Sequence, residues 1–332
     1  MTRRPTRRLV VAGGIGLGVG LGLIGARRGV AWLRQPRARV AVLRVETYDD
    51  LAERLFVELE RFPRALERAR SGPVVLKPNL VEIHPGRPIN TEPTFVVAVA
   101  EALLRHGAAS VVVAEGPGHT RDTEAVLHAS GLGPLLAERR LSFVDLNVDD
   151  VVEMSPPFDL AGHGRLPIAR TVAEAALVVS LPRLKTHHHA GVTLGMKNLF
   201  GVVPGAAWGW PKNRLHWGGI PESIADLWSL LQPGLTVADG LVGMEGDGPI
   251  LGATRPHGVV VLGEQACAVD ATTARMMGMD PTALPAFQLA ARCGGTVSTS
   301  WIALEGDDPV AVRYAPAPGF EGAVRSEQPW PT

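Results

Sequence analysis

Short apolar runs alternate with stretches of helical spacing from residue 39 to residue 292, and this alternation is the tightest constraint on the fold. Residues 39–45 read as a first strand. From Asp49 to Arg70 the residues Leu51, Leu55, Leu59, Phe62 and Leu66 recur about one turn apart, which predicts a helix. Further strands are expected at 73–77, 110–114, 141–144, 175–180, 235–238 and 257–262. Helices are expected at 93–105, with Thr91 as N-cap, and at 121–130, 221–231, 266–277 and 284–292. The block 181–219 reads as loops. Strands joined through helical segments of about 10–20 residues form βαβ units, so the class is α/β, a mainly parallel sheet with helices on both faces.

An N-terminal signal or anchor helix is expected to precede that body. Arg3, Arg4, Arg7 and Arg8 lead into the uncharged residues 9–26, and Arg27-Arg28 follows. These eighteen residues include seven glycines. As a helix they would rise about 27 Å, close to the ~30 Å of a hydrocarbon core. Thr6-Arg7-Arg8-Leu9-Val10-Val11 resembles a twin-arginine export signal, and weak hydrophobicity with a basic residue afterwards suits that route. The expected division is residues 1–38 as signal or membrane anchor plus linker, 39–310 as one large α/β domain, and 311–332 as a Pro/Gly-rich tail, packed or frayed. The body is expected outside the cytoplasm, released or anchored; the alternative is a cytoplasmic protein with an N-terminal anchor.

Residues 1–34 hold seven arginines and no acid, which leaves 26 basic against 33 acidic residues in the remainder. An acidic body is a poor partner for phosphate backbones, so nucleic acid is set aside. Cys267 and Cys293 are the only cysteines, so the chain cannot build a four-cysteine iron–sulfur or zinc cluster by itself. Whether they pair or are small buried hydrophobes stays open at this point.

Ligands of parallel α/β sheets bind outside the carboxyl ends of the strands. The unusual polar residues fall there: Lys77-Pro78-Asn79, Glu115-Gly116-Pro117-Gly118-His119, Lys185-Thr186-His187-His188-His189, and Asp239-Gly240 with Glu245-Gly246-Asp247-Gly248-Pro249 just beyond. Only four of 33 basic residues are lysine, namely Lys77, Lys185, Lys197 and Lys212. A chain that writes arginine for its generic cations implies a reason for each lysine, because an ammonium approaches an oxyanion end-on and loses its proton when buried. Leftover surface lysines are the plainer alternative.

These segments carry a resemblance. Leu76-Lys77-Pro78-Asn79-Leu80, Glu115-Gly116, the Lys185-Thr186-His187 piece and Val192-Thr193-Leu194-Gly195-Met196-Lys197-Asn198-Leu199-Phe200-Gly201 resemble the domain-of-unknown-function family 362, over about Val40 to Ile302. The resemblance implies no settled activity. Some members carry an added ferredoxin-like domain and are described as iron–sulfur proteins, which implies a redox partner; the cysteines for a cluster are missing here.

Lys185, His187 and Lys197 are the candidate catalytic residues, with Lys77, Asn79, Glu115, Thr193 and Asn198 as candidate substrate-binding residues. Ammonium groups and amides around glycine-rich backbone suit a small anionic ligand, and a lysine of lowered pKa suits a base or a Schiff-base nucleophile. Lysines braced by Glu115, Asp239 or Asp270 are the alternative. His187 with Asp239, Glu245 and Asp247, out of a wider inventory that includes His216, forms an oxygen and nitrogen donor set for a divalent metal, weighed against histidines that face solvent or bond locally. Trp208, Trp210 and Trp217 read as a lid, a surface patch or satellite core. The leading function is an exported enzyme acting on a small anionic substrate or cofactor. A non-catalytic binding protein or cofactor carrier and a structural envelope protein are the competitors.

Overall fold

The computed structural model describes residues 38–325, apart from 85, 119–121 and 211. The expected signal or anchor segment, His119 and Pro211 lie outside the described residues. Among the described residues no helix is long and apolar enough to cross a membrane.

The strands are β1 (Ala38–Arg44), β2 (Pro73–Pro78), β3 (Ser110–Glu115), β4 (Ser142–Asp145), β5 (Val151–Met154), β6 (Leu166–Ala169), β7 (Leu177–Leu181), β8 (Arg183–His187), β9 (Gly191–Thr193), β10 (Leu235–Glu245), β11 (Ala253–Gly263) and β12 (Ile302–Gly306). The helices are α1 (Leu51–Leu59), α2 (Pro63–Ser71), α3 (Pro93–Arg105), α4 (Thr123–Ala129), α5 (Leu132–Glu138), α6 (Arg170–Ala173), α7 (Gly195–Asn198), α8 (Gly205–Trp208), α9 (Asn213–Trp217), α10 (Ile220–Leu231), α11 (Ala266–Met276) and α12 (Pro285–Arg292). The main sheet has the order β12-β1-β11-β10-β7-β2-β3-β4. β10, β7, β2, β3 and β4 run parallel, whereas β11 is antiparallel to both β10 and β1, so the sheet is mixed but mainly parallel. β8 leans on β10 and pairs with β9 as a side hairpin.

Alternation along each strand splits the core in two. Val40, Val42, Val75 and Val178 join one cluster; Ala41, Leu43, Val74, Leu76, Leu177 and Val179 join the other. The first is covered by Met196, Ile224, Val269 and Phe287 of the later helices, the second by Leu51, Leu55, Phe95 and Leu132 of the earlier ones. Helices therefore cover both faces.

Several expected elements differ. The single helix over 49–70 is α1 and α2, because Pro63 has no N–H to continue the ladder and begins a new helix. The apolar spacing runs across the break since Leu51, Leu55, Leu59, Ala65 and Leu66 bury against one core. Thr91 does not cap α3: its hydroxyl donates to Leu181 O at 2.7 Å and accepts from Asn79 N at 2.9 Å, which ties the loop after β2 to the end of β7. The block 181–219 holds β8, β9 and α7–α9. β10 and β11 extend well beyond 235–238 and 257–262 as a long antiparallel pair, with a register shift between Gly240 and Val242 that lets the strand bend and continue. Asp239 is therefore inside a strand. The described part of the segment after 310 packs on α11 and the chain following it, with Val312 N donating to Met276 O at 2.8 Å and Tyr314 N to Met277 O at 3.0 Å.

Candidate functional site

The neighbouring strands β2 and β3 carry Lys77 and Glu115 at their carboxyl ends, and β7 leads through Pro182 into β8, which carries Lys185 and His187. β9 brings Thr193, and α7 brings Lys197 and Asn198. All eight candidate catalytic and substrate-binding residues line one cavity of about 110 Å³, together with Phe200, Gly201, Lys212 and His216. Every lysine of the chain thus faces the same space.

Lys77 is fixed. Its ammonium donates to Glu115 Oε2 at 2.7 Å, Asn198 Oδ1 at 3.1 Å and Pro78 O at 3.2 Å. Glu115 also accepts from Leu80 N at 3.3 Å and Gly116 N at 2.8 Å. Gly201 passes so close that a Cβ there would fall 1.8 Å from Glu115 Oε1 and 2.7 Å from Lys77 Nζ. Asn198 returns its amide N–H to Lys77 O at 2.9 Å and to Ser180 Oγ at 3.1 Å, which locks α7 against β2. Buried Asp270 accepts from Gly195 N at 2.8 Å and Met196 N at 2.7 Å at the start of α7. Burial pushes its carboxyl up to about 7.

The other lysines meet no carboxylate among the described residues. Lys185, fully buried, donates to Asn79 Oδ1 and Ile89 O, both at 2.6 Å. Burial, with Arg183 and Lys197 nearby, holds its pKa well below the usual lysine range. Lys212 donates to Asn147 Oδ1 at 2.5 Å and to Val203 O, and burial brings it down to about 7 against the opposing pull of Glu115. Lys197 lies with Nζ 3.7 Å from the centroid of the Phe200 ring, and burial beside Lys77 lowers it to about 7. His187 accepts from His189 N through Nδ1 at 3.0 Å. A backbone N–H can only donate, so the neutral ring keeps its proton on Nε2. Burial and the charge of Lys197 hold its pKa well below the ordinary imidazole value, which keeps the ring neutral.

The metal donor set is not assembled. Asp239 is buried against Arg183 Nη1 at 2.5 Å and accepts from Tyr48 Oη at 2.8 Å and Glu92 N at 3.2 Å. Glu245 accepts from Ala315 N at 2.9 Å and faces Arg255 at 3.6 Å, while Asp247 is exposed. His188 and His189 are exposed and do not line the cavity. Among the described residues no group of three or more His, Cys, Asp and Glu side chains could hold a metal ion. The reason is the continuation of β10, which carries Asp239 and Glu245 into its own contacts. Trp208 is core and Trp217 is exposed.

Lys212 is absent from the candidate catalytic and binding residues of the sequence, and His216 enters there only in the wider metal donor inventory. Neither follows a strand, but the scarcity of lysine already marks Lys212.

Comparison with known proteins adds a family. The sequence profile described as Domain of unknown function (DUF362) matches residues 74–275, which include all four lysines. The thylakoid-associated protein sll1697 of Synechocystis sp. is 29% identical over 227 residues, 67% of this chain and 68% of that protein. The lactate racemase apoprotein from Thermoanaerobacterium thermosaccharolyticum superposes with a TM-score of 0.40 at 17% identity, over 64% of this chain and 51% of that one. A Thermotoga maritima protein gives 0.36 at 15%, over 61% and 52%. The chain spans about half the length of these two solved structures. The segments that carry the family resemblance are those that build the lysine cavity, and the chain belongs to the family described as Domain of unknown function (DUF362).

Proposed function

We propose that the protein is an enzyme acting on a small anionic substrate, a carboxylate or phosphate compound held in the lysine cavity. One observation carries this reading: all four lysines of the chain line a cavity in which Glu115, already paired with Lys77, is the only carboxylate among the described residues. Crowded, buried cations without counter-charge either shed their protons or bind an anion. Lys197 and Lys212, both near 7, do either within the neutral range, which suits proton transfer better than passive carriage.

Titration calorimetry of the full chain with inorganic phosphate and with acetate tests the reading. Saturable binding at one site is expected, lost in both Lys185→Ala and Lys185→Arg because a guanidinium is too wide for the slot between Asn79 and Ile89. Unsaturable heats, or full rescue by arginine, overturn it.

We also place the body outside the cytoplasm, at a membrane surface. The support is the Thr6-Arg7-Arg8 segment, and the name of the Synechocystis relative, thylakoid-associated, fits a membrane station. Changing Arg7 and Arg8 to lysine in a reporter fusion is expected to abolish export; unchanged export removes this placement.

A further inference from the structure

We propose that Lys197 is the nucleophile of the cavity and forms a Schiff base with the carbonyl group of a small 2-oxo acid whose carboxylate the neighbouring lysines hold. The proposal rests on the anion-cavity reading above and deepens it.

Hydrogen bonding separates the four lysines by role. Lys77, Lys185 and Lys212 each donate to two or three fixed oxygens, so their nitrogen atoms are held in place. Such groups hold an anion but are poorly free to approach a carbonyl carbon. Lys197 Nζ makes no hydrogen bond among the described residues; it rests on the face of Phe200 and lines the cavity. An amine attacks through its lone pair, and only Lys197 presents one unencumbered by acceptors. Its pKa near 7 leaves a substantial neutral fraction at physiological pH.

The remaining lining supplies the other parts. The Nε2–H of neutral His187 is a hydrogen-bond donor for the carbonyl oxygen and then for the hydroxyl of the carbinolamine. His187 and Lys197 are close enough for the charge of one to lower the pKa of the other. Size limits the substrate: an apolar cavity of about 150 Å³ accommodates benzene, so the 110 Å³ here encloses roughly five non-hydrogen atoms, the size of glyoxylate, with a longer chain passing through the mouth. A carboxylate and an adjacent carbonyl fill that space.

The step balances. The Nζ lone pair adds to the carbonyl carbon as the C=O π pair moves to oxygen. A proton passes from nitrogen to that oxygen and gives the neutral carbinolamine. A solvent proton taken up by its hydroxyl and the loss of water leave the iminium, so neutral amine, 2-oxo acid and one proton become iminium and water. No oxidant or reductant is consumed.

The test uses the full chain with glyoxylate or pyruvate and sodium cyanoborohydride, which reduces an iminium to a stable secondary amine. Four lysines and the α-amino group are the only primary amines, so peptide mapping by mass spectrometry is unambiguous. The expected adduct sits on Lys197, adds the mass of the acid less one oxygen, and forms about tenfold or more faster than in the urea-unfolded chain. Excess phosphate protects against it, and Lys197→Arg, checked for an unchanged melting temperature, does not form it. An adduct on Lys185 or Lys212, or on the α-amine alone, overturns the assignment. Phosphate binding by calorimetry without any adduct overturns the Schiff base and leaves the anion cavity standing; absence of both overturns both.

Discussion

Arg183 and Lys185 lie two residues apart in β8 and both are buried, yet their surroundings differ in kind. Arg183 meets Asp239 at 2.5 Å and Glu92 at 3.8 Å, with the Tyr48 hydroxyl at 3.4 Å. Burial works against its charge, but these neighbours outweigh it and its pKa rises. Lys185 meets only carbonyl oxygens, and its pKa falls. A planar guanidinium suits a carboxylate and keeps its proton, whereas a compact ammonium fits between carbonyls and gives its proton up. The arginine cluster is thus a neutralised brace between β8, β10 and the start of α3. The lysine cavity is left short of negative charge, which is the condition for taking a ligand.

The largest effect that tests this contrast is on stability. Asp239→Asn strands a buried guanidinium, and the loss in urea unfolding should be roughly 3–5 kcal/mol, the cost of breaking a buried pair from one side. Lys77→Met should cost a similar amount by stranding Glu115. A loss below about 1 kcal/mol for Asp239→Asn would remove the brace from the comparison.

Lys197→Met should behave oppositely. With no carboxylate to strand and a buried amine that costs stability at neutral pH removed, stability should not fall, while phosphate affinity falls roughly ten- to hundredfold, the worth of a hydrogen bond to a charged group. Equal stability losses in Lys197→Met and Asp239→Asn would mean that the two regions are braces alike.

Much of this contrast is legible in the amino-acid sequence. The strand-end segments place Lys77, Asn79, Glu115, Lys185 and His187 at one edge of the sheet, because parallel strands must end together. Asp239 is the exception: a glycine after an apolar run looks like a strand end, but the bulge at Gly240 lets β10 run on to Glu245. Lys212 escapes because its position depends on a tertiary contact with Asn147, which no local spacing reveals. The short helices and the β8–β9 hairpin in 181–219 are hidden for a related reason: each is held by long-range bonds such as those of Asp270 and Asn198.

pH separates the regions next. Lys197 titrates near 7 in the folded chain against 10.5 for an ordinary lysine, so between these values the unfolded state binds more protons. This lysine's contribution to stability is therefore fully present above 10.5 and is lost as pH falls toward 7. Its share of the slope is at most about 1.4 kcal/mol per pH unit and is lost in Lys197→Met, while Lys185 and Lys212 keep theirs. Anion affinity must run the other way, falling as pH rises through 7, with proton uptake on binding visible as a buffer dependence of the calorimetric heat. Affinity and stability that climb together with pH would contradict a cavity of neutralised lysines.

The smallest effect marks the boundary of the site. Asp247 belongs to the acidic turn after β10, close in sequence to Glu245, and the sequence joins both with His187 in a metal donor set. In the fold its side chain is exposed and does not line the cavity; its backbone carbonyl accepts from Leu251 N at 3.0 Å, and any residue supplies that. Glu245 is turned toward Arg255 and Ala315, so the acidic pair is divided between solvent and a separate ion pair. Asp247→Ala should therefore change stability by no more than about 0.5 kcal/mol and leave phosphate affinity unchanged. A measurable fall in affinity would extend the site across the end of β10, and the division between a self-neutralised brace and an open lysine cavity would then have to be redrawn to include an acidic wall.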